Sequence, residues 1–90
     1  MKSQQIIDYI AHSRECTAAD ITGKRRHQHL ADGRSVAQYV LREALGWTWH
    51  RIADTFHCDH SSGIANWKKV RRTDELMAEA QIVIAQINVN

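Results

Sequence analysis

Apolar residues recur at helical spacing along almost the whole chain, and no stretch alternates with the period of two that a surface strand requires. Six amphipathic segments emerge. The first spans about Ser3 to His12 and turns Ile6, Ile7 and Ile10 inward. The second is short, about Thr17 to Thr22, with Thr17 and Asp20 at capping-box spacing and Gly23 at its end. A polar basic loop, Lys24 to Leu30, follows. The third and longest segment, about Asp32 to Leu45, carries the stripe Val36, Ala37, Val40, Leu41, Ala44 and Leu45 and stops at Gly46. The fourth, about Thr48 to Phe56, is capped by Thr48 and buries Ile52, Ala53 and Phe56. A tight turn at His57-Cys58 leads to the fifth, from Asp59 or His60 to about Arg72. Thr73 caps the sixth, where Asp74 and Glu75 suit the helix dipole, and Leu76, Met77, Ala80, Val83, Ile84 and Ile87 form its stripe. The expected fold is all-α: a small bundle of about six helices in one domain, residues 1–90, containing a helix-turn-helix.

The helix-turn-helix lies in the fourth and fifth segments, two short helices joined by a tight turn. A sweep of ~100° per residue sorts the fifth into two faces. Ile64, Trp67 and Val70 fall on one, and Ser61, Ser62, Ala65, Asn66, Lys68, Lys69 and Arg72 on the other. Small side chains allow close approach, amides can read base edges, and cations suit phosphates, which is what a DNA major groove admits.

Charge sharpens this reading. The net charge is only +2, but residues 23–72 hold ten Lys/Arg against four Asp/Glu, a balance of +6. Residues 1–22 are at −1 and residues 73–90 at −3. A field concentrated in this way favours a polyanion, and duplex DNA is the best candidate partner.

Other classes find little support. No run reaches the ~18 apolar residues of a membrane span, and Met1-Lys2-Ser3-Gln4-Gln5 opens no signal-peptide core. A cytoplasmic protein without membrane contact is expected, with Cys16 and Cys58 as reduced thiols. His50, His57, Cys58 and His60 crowd eleven residues, but their spacing matches no regular zinc pattern, so neither metal nor cofactor is expected. Trp47, Trp49 and Trp67 read as structural aromatics. No nucleophile, base and orienting group can be assembled for an enzyme in so small a bundle.

Several motifs carry a family resemblance. Gly23-Lys24-Arg25-Arg26, the helix ending Leu41-Arg42-Glu43-Ala44-Leu45-Gly46, Ile52-Ala53-Asp54-Thr55-Phe56 and Asp59-His60-Ser61-Ser62 resemble the C-terminal DNA-binding domain (domain IV) of the bacterial replication initiator DnaA. The resemblance implies a helical bundle that binds origin boxes in duplex DNA, in replication initiation or its regulation. It places Arg26 in the minor groove with Lys24 and Arg25 beside it. It places Arg34 and Ser35 on the phosphate backbone at the start of the long helix. Asp59, His60 and Ser61 match base-reading positions, Ser62 and Lys69 match phosphate-binding ones, and Trp49 and His50 match a Leu-Pro pair touching the groove. Residue chemistry adds Asn66 as an amide reader, and Lys68 and Arg72 as phosphate contacts.

The chain departs from the family pattern at His50, Cys58, Gly63 and Ala65, which implies an altered box. Gly63 weakens the fifth helix but allows closer approach. No Gly-x-x-x-x-Gly-Lys-Ser/Thr loop is present, so the ATPase module of the initiator is absent from this sequence. A free-standing relative from a phage or mobile element is one reading, and a piece of a larger initiator is another. The expected state is a monomer, with replication proteins as further partners. Two alternatives stay open: a helix-turn-helix transcriptional repressor, and a protein-interaction module that antagonises host replication initiation.

Overall fold

A computed structural model describes residues 2–23 and 27–88. Its helices are α1 (Lys2–Ser13), α2 (Ala18–Thr22), α3 (Gln28–Leu45), α4 (Trp49–Phe56), α5 (His60–Arg71) and α6 (Asp74–Asn88). All the regular structure among the described residues is helical.

The bundle is organised around α3, which packs against all five other helices. Val36, Ala37, Val40 and Leu41 of the expected stripe are fully buried. Ser35, Gln38 and Tyr39 are buried as well, because a helix wrapped by neighbours has no wet face at its middle. Ala44 departs from the expectation: it lies past the wrapped stretch and is exposed. The helix also starts four residues before Asp32, at Gln28. Buried Leu30 anchors the extra turn, and Gln28 Nε2 donates to Asp32 Oδ1 at 2.7 Å. The expected loop through Leu30 is therefore shorter. Its basic residues Lys24, Arg25 and Arg26 lie outside the described residues.

The local signals operate through the bonds expected of them. Asp20 N–H donates to Thr17 Oγ1 and Thr17 N–H to Asp20 Oδ2, both at 3.1 Å, which closes the capping box. Gly46 takes the left-handed conformation (φ 67°) that ends α3. Thr48 Oγ1 accepts from Arg51 N–H at 3.1 Å and opens α4. His57 ends α4 in the left-handed region (φ 55°), and Cys58 N–H reaches Ala53 O at 3.0 Å. On α6, Leu76, Ala80 and Val83 are buried, while Met77, Ile84 and Ile87 lie half-buried against the core.

One tie joins three helices. Arg14, just past α1, donates through Nε to Glu79 Oε2 of α6 at 2.9 Å and through Nη1 to His29 O of α3 at 2.8 Å. Gly33 makes room for it: a Cβ there would lie 2.7 Å from Arg14 Cδ and 3.0 Å from Ile21 Cδ1.

Gly63 is buried where α5 faces α4, so its bare backbone meets another helix rather than a ligand. An added Cβ would meet Ile52 Cγ2 at 3.5 Å and Trp49 Cε3 at 3.7 Å, which is ordinary contact.

Two outcomes follow. Arg14→Ala strands the Glu79 carboxylate and should lower stability by about 1–3 kcal/mol, read by denaturant titration. Gly63→Ala should add about 1 kcal/mol of helix propensity without a clash. That would raise Tm by roughly 4–8 °C in a domain of this size, measured calorimetrically.

Candidate nucleic-acid interface

The inward axis of α5 runs through Gly63 and Val70, both buried. Ile64 is not in the core. It lies half-buried in a shallow outer depression of about 340 Å³ with Ser61, Ala65, Lys68 and Arg72. The helix is rotated from the expected setting by roughly half of the ~100° that one residue subtends. Hydropathy weights isoleucine and ignores glycine, so the sequence pattern misplaces the axis.

The rotation moves Asn66 off the outer face. Its Nδ2 donates to Gln38 Oε1 of α3 at 3.0 Å, and Gln38 is fully buried. The amide expected to read a base is thus bound to the bundle. Trp67 Nε1 donates to Glu43 Oε2 at 3.1 Å, and Lys69 Nζ pairs with Asp32 Oδ1 at 2.9 Å. Three polar contacts therefore fasten α5 to α3. Burial alone would raise the Asp32 carboxyl pKa, but the bonds from Lys69 and Gln28, with the charges of Lys69 and Arg14, hold it below the usual carboxylate value.

The start of α5 is open. Asp59 occupies the N-cap position but makes no side-chain cap bond, and its side chain is exposed. His60, Ser61 and Ser62 are exposed beside it. The rings of His60 and His50 meet edge to face, with centroids 5.6 Å apart. His50, Asp54, His57, Cys58, Asp59 and His60 line a concavity of about 390 Å³ between the ends of α4 and α5. No three His, Cys, Asp or Glu side chains among the described residues are placed to hold a metal ion together.

Several expected phosphate contacts have other structural roles. Ser35 is 1% exposed, and its Oγ donates back to Ala31 O at 3.1 Å, so its hydroxyl cannot meet a ligand from this position. Arg34 is half-buried and donates to the carbonyls of Ile21 (2.9 Å) and Asp20 (3.0 Å). Burial lowers the pKa of its guanidinium, offset in part by Cys58. Arg34 is therefore a strut at the end of α2, next to the basic segment. Lys68 and Arg72 are exposed. Trp49 is half-buried, its indole packed edge to face on Trp67 with centroids 6.1 Å apart.

The sequence reading missed the packing of three arginines on tryptophans. Arg51 lies over Trp47 (4.0 Å to the ring centroid), Arg42 over Trp49 (4.5 Å) and Arg71 over Trp67 (4.8 Å). Two of these pairs have i,i+4 spacing, a signal that was available in the sequence.

Comparison with known proteins places this architecture. The bacterial DnaA protein helix-turn-helix family matches residues 3–70. The chain is also similar to chromosomal replication initiator protein DnaA 2 of Protochlamydia amoebophila (strain UWE25), at 31% identity over 72 residues. That alignment covers 80% of this chain and 16% of the relative, so the chain spans only a small part of the initiator's length. Among the described residues no helix is long and apolar enough to cross a membrane. The match takes in α1 to α5 and both arms of the helix-turn-helix, and on it the chain belongs to the bacterial DnaA C-terminal helix-turn-helix family, a family of double-stranded DNA binders.

Proposed function

We propose that this chain binds duplex DNA sequence-specifically, at sites of the origin-box type, in the initiation of replication or its regulation. α5 enters the major groove. Asp59, His60 and Ser61 read base edges, and Lys68, Arg72 and Ser62 hold phosphates. Asp59 accepts a hydrogen bond, so it favours the amino group of cytosine. Lys24, Arg25 and Arg26 reach the neighbouring minor groove, with Arg26 inserted. His50 touches the groove from α4. The chain acts in the cytoplasm as a monomer.

The observation that carries this reading is the composition of the outer face of α5. An uncapped acid, an imidazole and two hydroxyls occupy its exposed first turn, and Lys68 and Arg72 its exposed last turns. Apolar bulk is confined to Ile64 between them. The basic segment ends one residue before the N-cap of α3, and α3 carries Asp32, the partner of Lys69.

Lys69 begins in an ion pair. Binding through this residue means exchanging Asp32 for a phosphate, so Asp32 acts as an internal competitor that weakens association and favours tightly fitting sites.

Selection from random duplexes followed by sequencing tests the reading. One enriched asymmetric motif is expected, and no enrichment in dilute buffer would exclude it. Arg26→Ala should weaken binding to that motif roughly tenfold or more, the effect of losing one good groove contact. Asp32→Asn should tighten binding by freeing Lys69. It should also remove a small stabilisation, under about 1 kcal/mol because both partners are partly exposed. The folded-state pKa of Asp32 is lowered, so this stabilisation is present above the unfolded carboxylate pKa of ~3.9 and fades as pH falls through the folded value. Denaturation curves of the two proteins should differ at neutral pH and converge once pH falls below the lowered folded-state pKa of Asp32.

A further inference from the structure

We infer that Arg42, Arg51 and Arg71 form a second phosphate-binding surface, on the α4 side of α5, for the sugar–phosphate backbone bordering the groove. The inference rests on the duplex-binding reading above and adds residues to it.

The three arginine–tryptophan stacks form one assembly. Arg51 covers Trp47, and Arg42 Nη1 donates to Trp47 O at 2.7 Å while its guanidinium covers Trp49. Trp49 meets Trp67 edge to face, and Arg71 covers Trp67. Arg51 and Arg71 are exposed, and Arg42 is half-buried. Glu43 is the acid in contact with the assembly, and its carboxylate accepts from Trp67 Nε1. No ion pair to Arg42, Arg51 or Arg71 is formed among the described residues.

The guanidinium carbons sit 4.0–4.8 Å from the indole centroids, within cation–π range. The N–H groups of a guanidinium lie in its own plane, so the edges remain able to donate to phosphate oxygens. A free arginine side chain carries about 2 kcal/mol of rotamer entropy. Stacking removes part of that during folding, so less is lost when a phosphate arrives. A solvated lysine on the same surface would have no such preparation.

The assembly also continues the reading surface. Arg51 follows His50, whose ring meets that of His60. At ~100° per residue, Arg71 lies only about 20° around α5 from His60. Lys69 and Asp32 lie on the opposite flank, towards α3. A helix in a major groove has a phosphate backbone on each side. Lys69 faces one strand, and the stacked arginines face the other.

Arginine–tryptophan stacks can also serve only to cover an aromatic ring, and the salt dependence of binding separates the two roles. Dissociation constants for a selected duplex and a random-sequence duplex are measured over a salt series for the unaltered chain, Arg51→Gln, Arg71→Gln and the double variant. Each lost phosphate contact reduces the slope of log K against log salt by about 1, so the double variant should lose about 2. It should weaken both duplexes alike. An unchanged slope in a double variant that still binds would overturn the inference while leaving the duplex-binding reading intact. Failure of the unaltered chain to bind either duplex would instead remove the reading beneath it. Arg51→Lys and Arg71→Lys keep the charge and lose the planar stack. Retention of the slope in these variants supports phosphate contact, and a loss equal to that of the Gln variants would assign the arginines to packing and overturn the inference.

Discussion

The setting of α5 on α3 is pinned at its middle by an amide pair with one buried member. Gln38 is fully buried at the middle of the central helix and receives the amide of Asn66. A buried amide strongly prefers a partner, because an unpaired one loses its bonds to water without replacement. The bond to Gln38 Oε1 favours this rotation of α5, while Gln38 Nε2 is buried with no hydrogen-bond partner among the described residues. Val70 and Gly63 supply the packing, and the Gln38–Asn66 bond supplies the register. The outward direction of Asp59, His60 and Ser61 follows from it.

Much of the fold was legible because the signals were local. Capping boxes, glycine stops and the period of 3.6 act within a few residues, so Thr17, Gly46 and Thr48 end or start helices where the sequence places them. What lay hidden depends on distant partners. Ser35 and Gln38 look like surface residues until five helices surround α3. Arg14 meets Glu79 across 65 positions, and no periodicity announces such a pair. Ala44 reads as core by spacing, yet nothing packs over it.

The candidate site was legible in its motif and less so in its individual side chains. Asp59-His60-Ser61-Ser62 marks the start of α5 correctly, because an acid followed by hydroxyls is both a helix opening and a polar face. Asn66 and Lys69 were assigned outward by a helical phase set on Ile64, and the structure gives both a partner on α3. Cations in this domain thus divide between internal work and outward display. Arg14 and Arg34 tie backbone carbonyls, Lys69 is paired, and Lys68 and Arg72 are exposed. A count of basic residues therefore overstates the field available to a ligand.

The left-handed residue at the elbow between α4 and α5 is a histidine rather than a glycine. Only a narrow basin of backbone angles accommodates a β-carbon with positive φ, whereas glycine roams widely. The elbow therefore behaves as a stiff corner, and the two helices advance on a ligand as one wedge of fixed opening. Where the width or twist of a double helix does not match that wedge, the adjustment falls on the nucleic acid. In the sequence-specific binding proposed above, flexibility of the duplex would then be a source of discrimination at base pairs that no side chain touches.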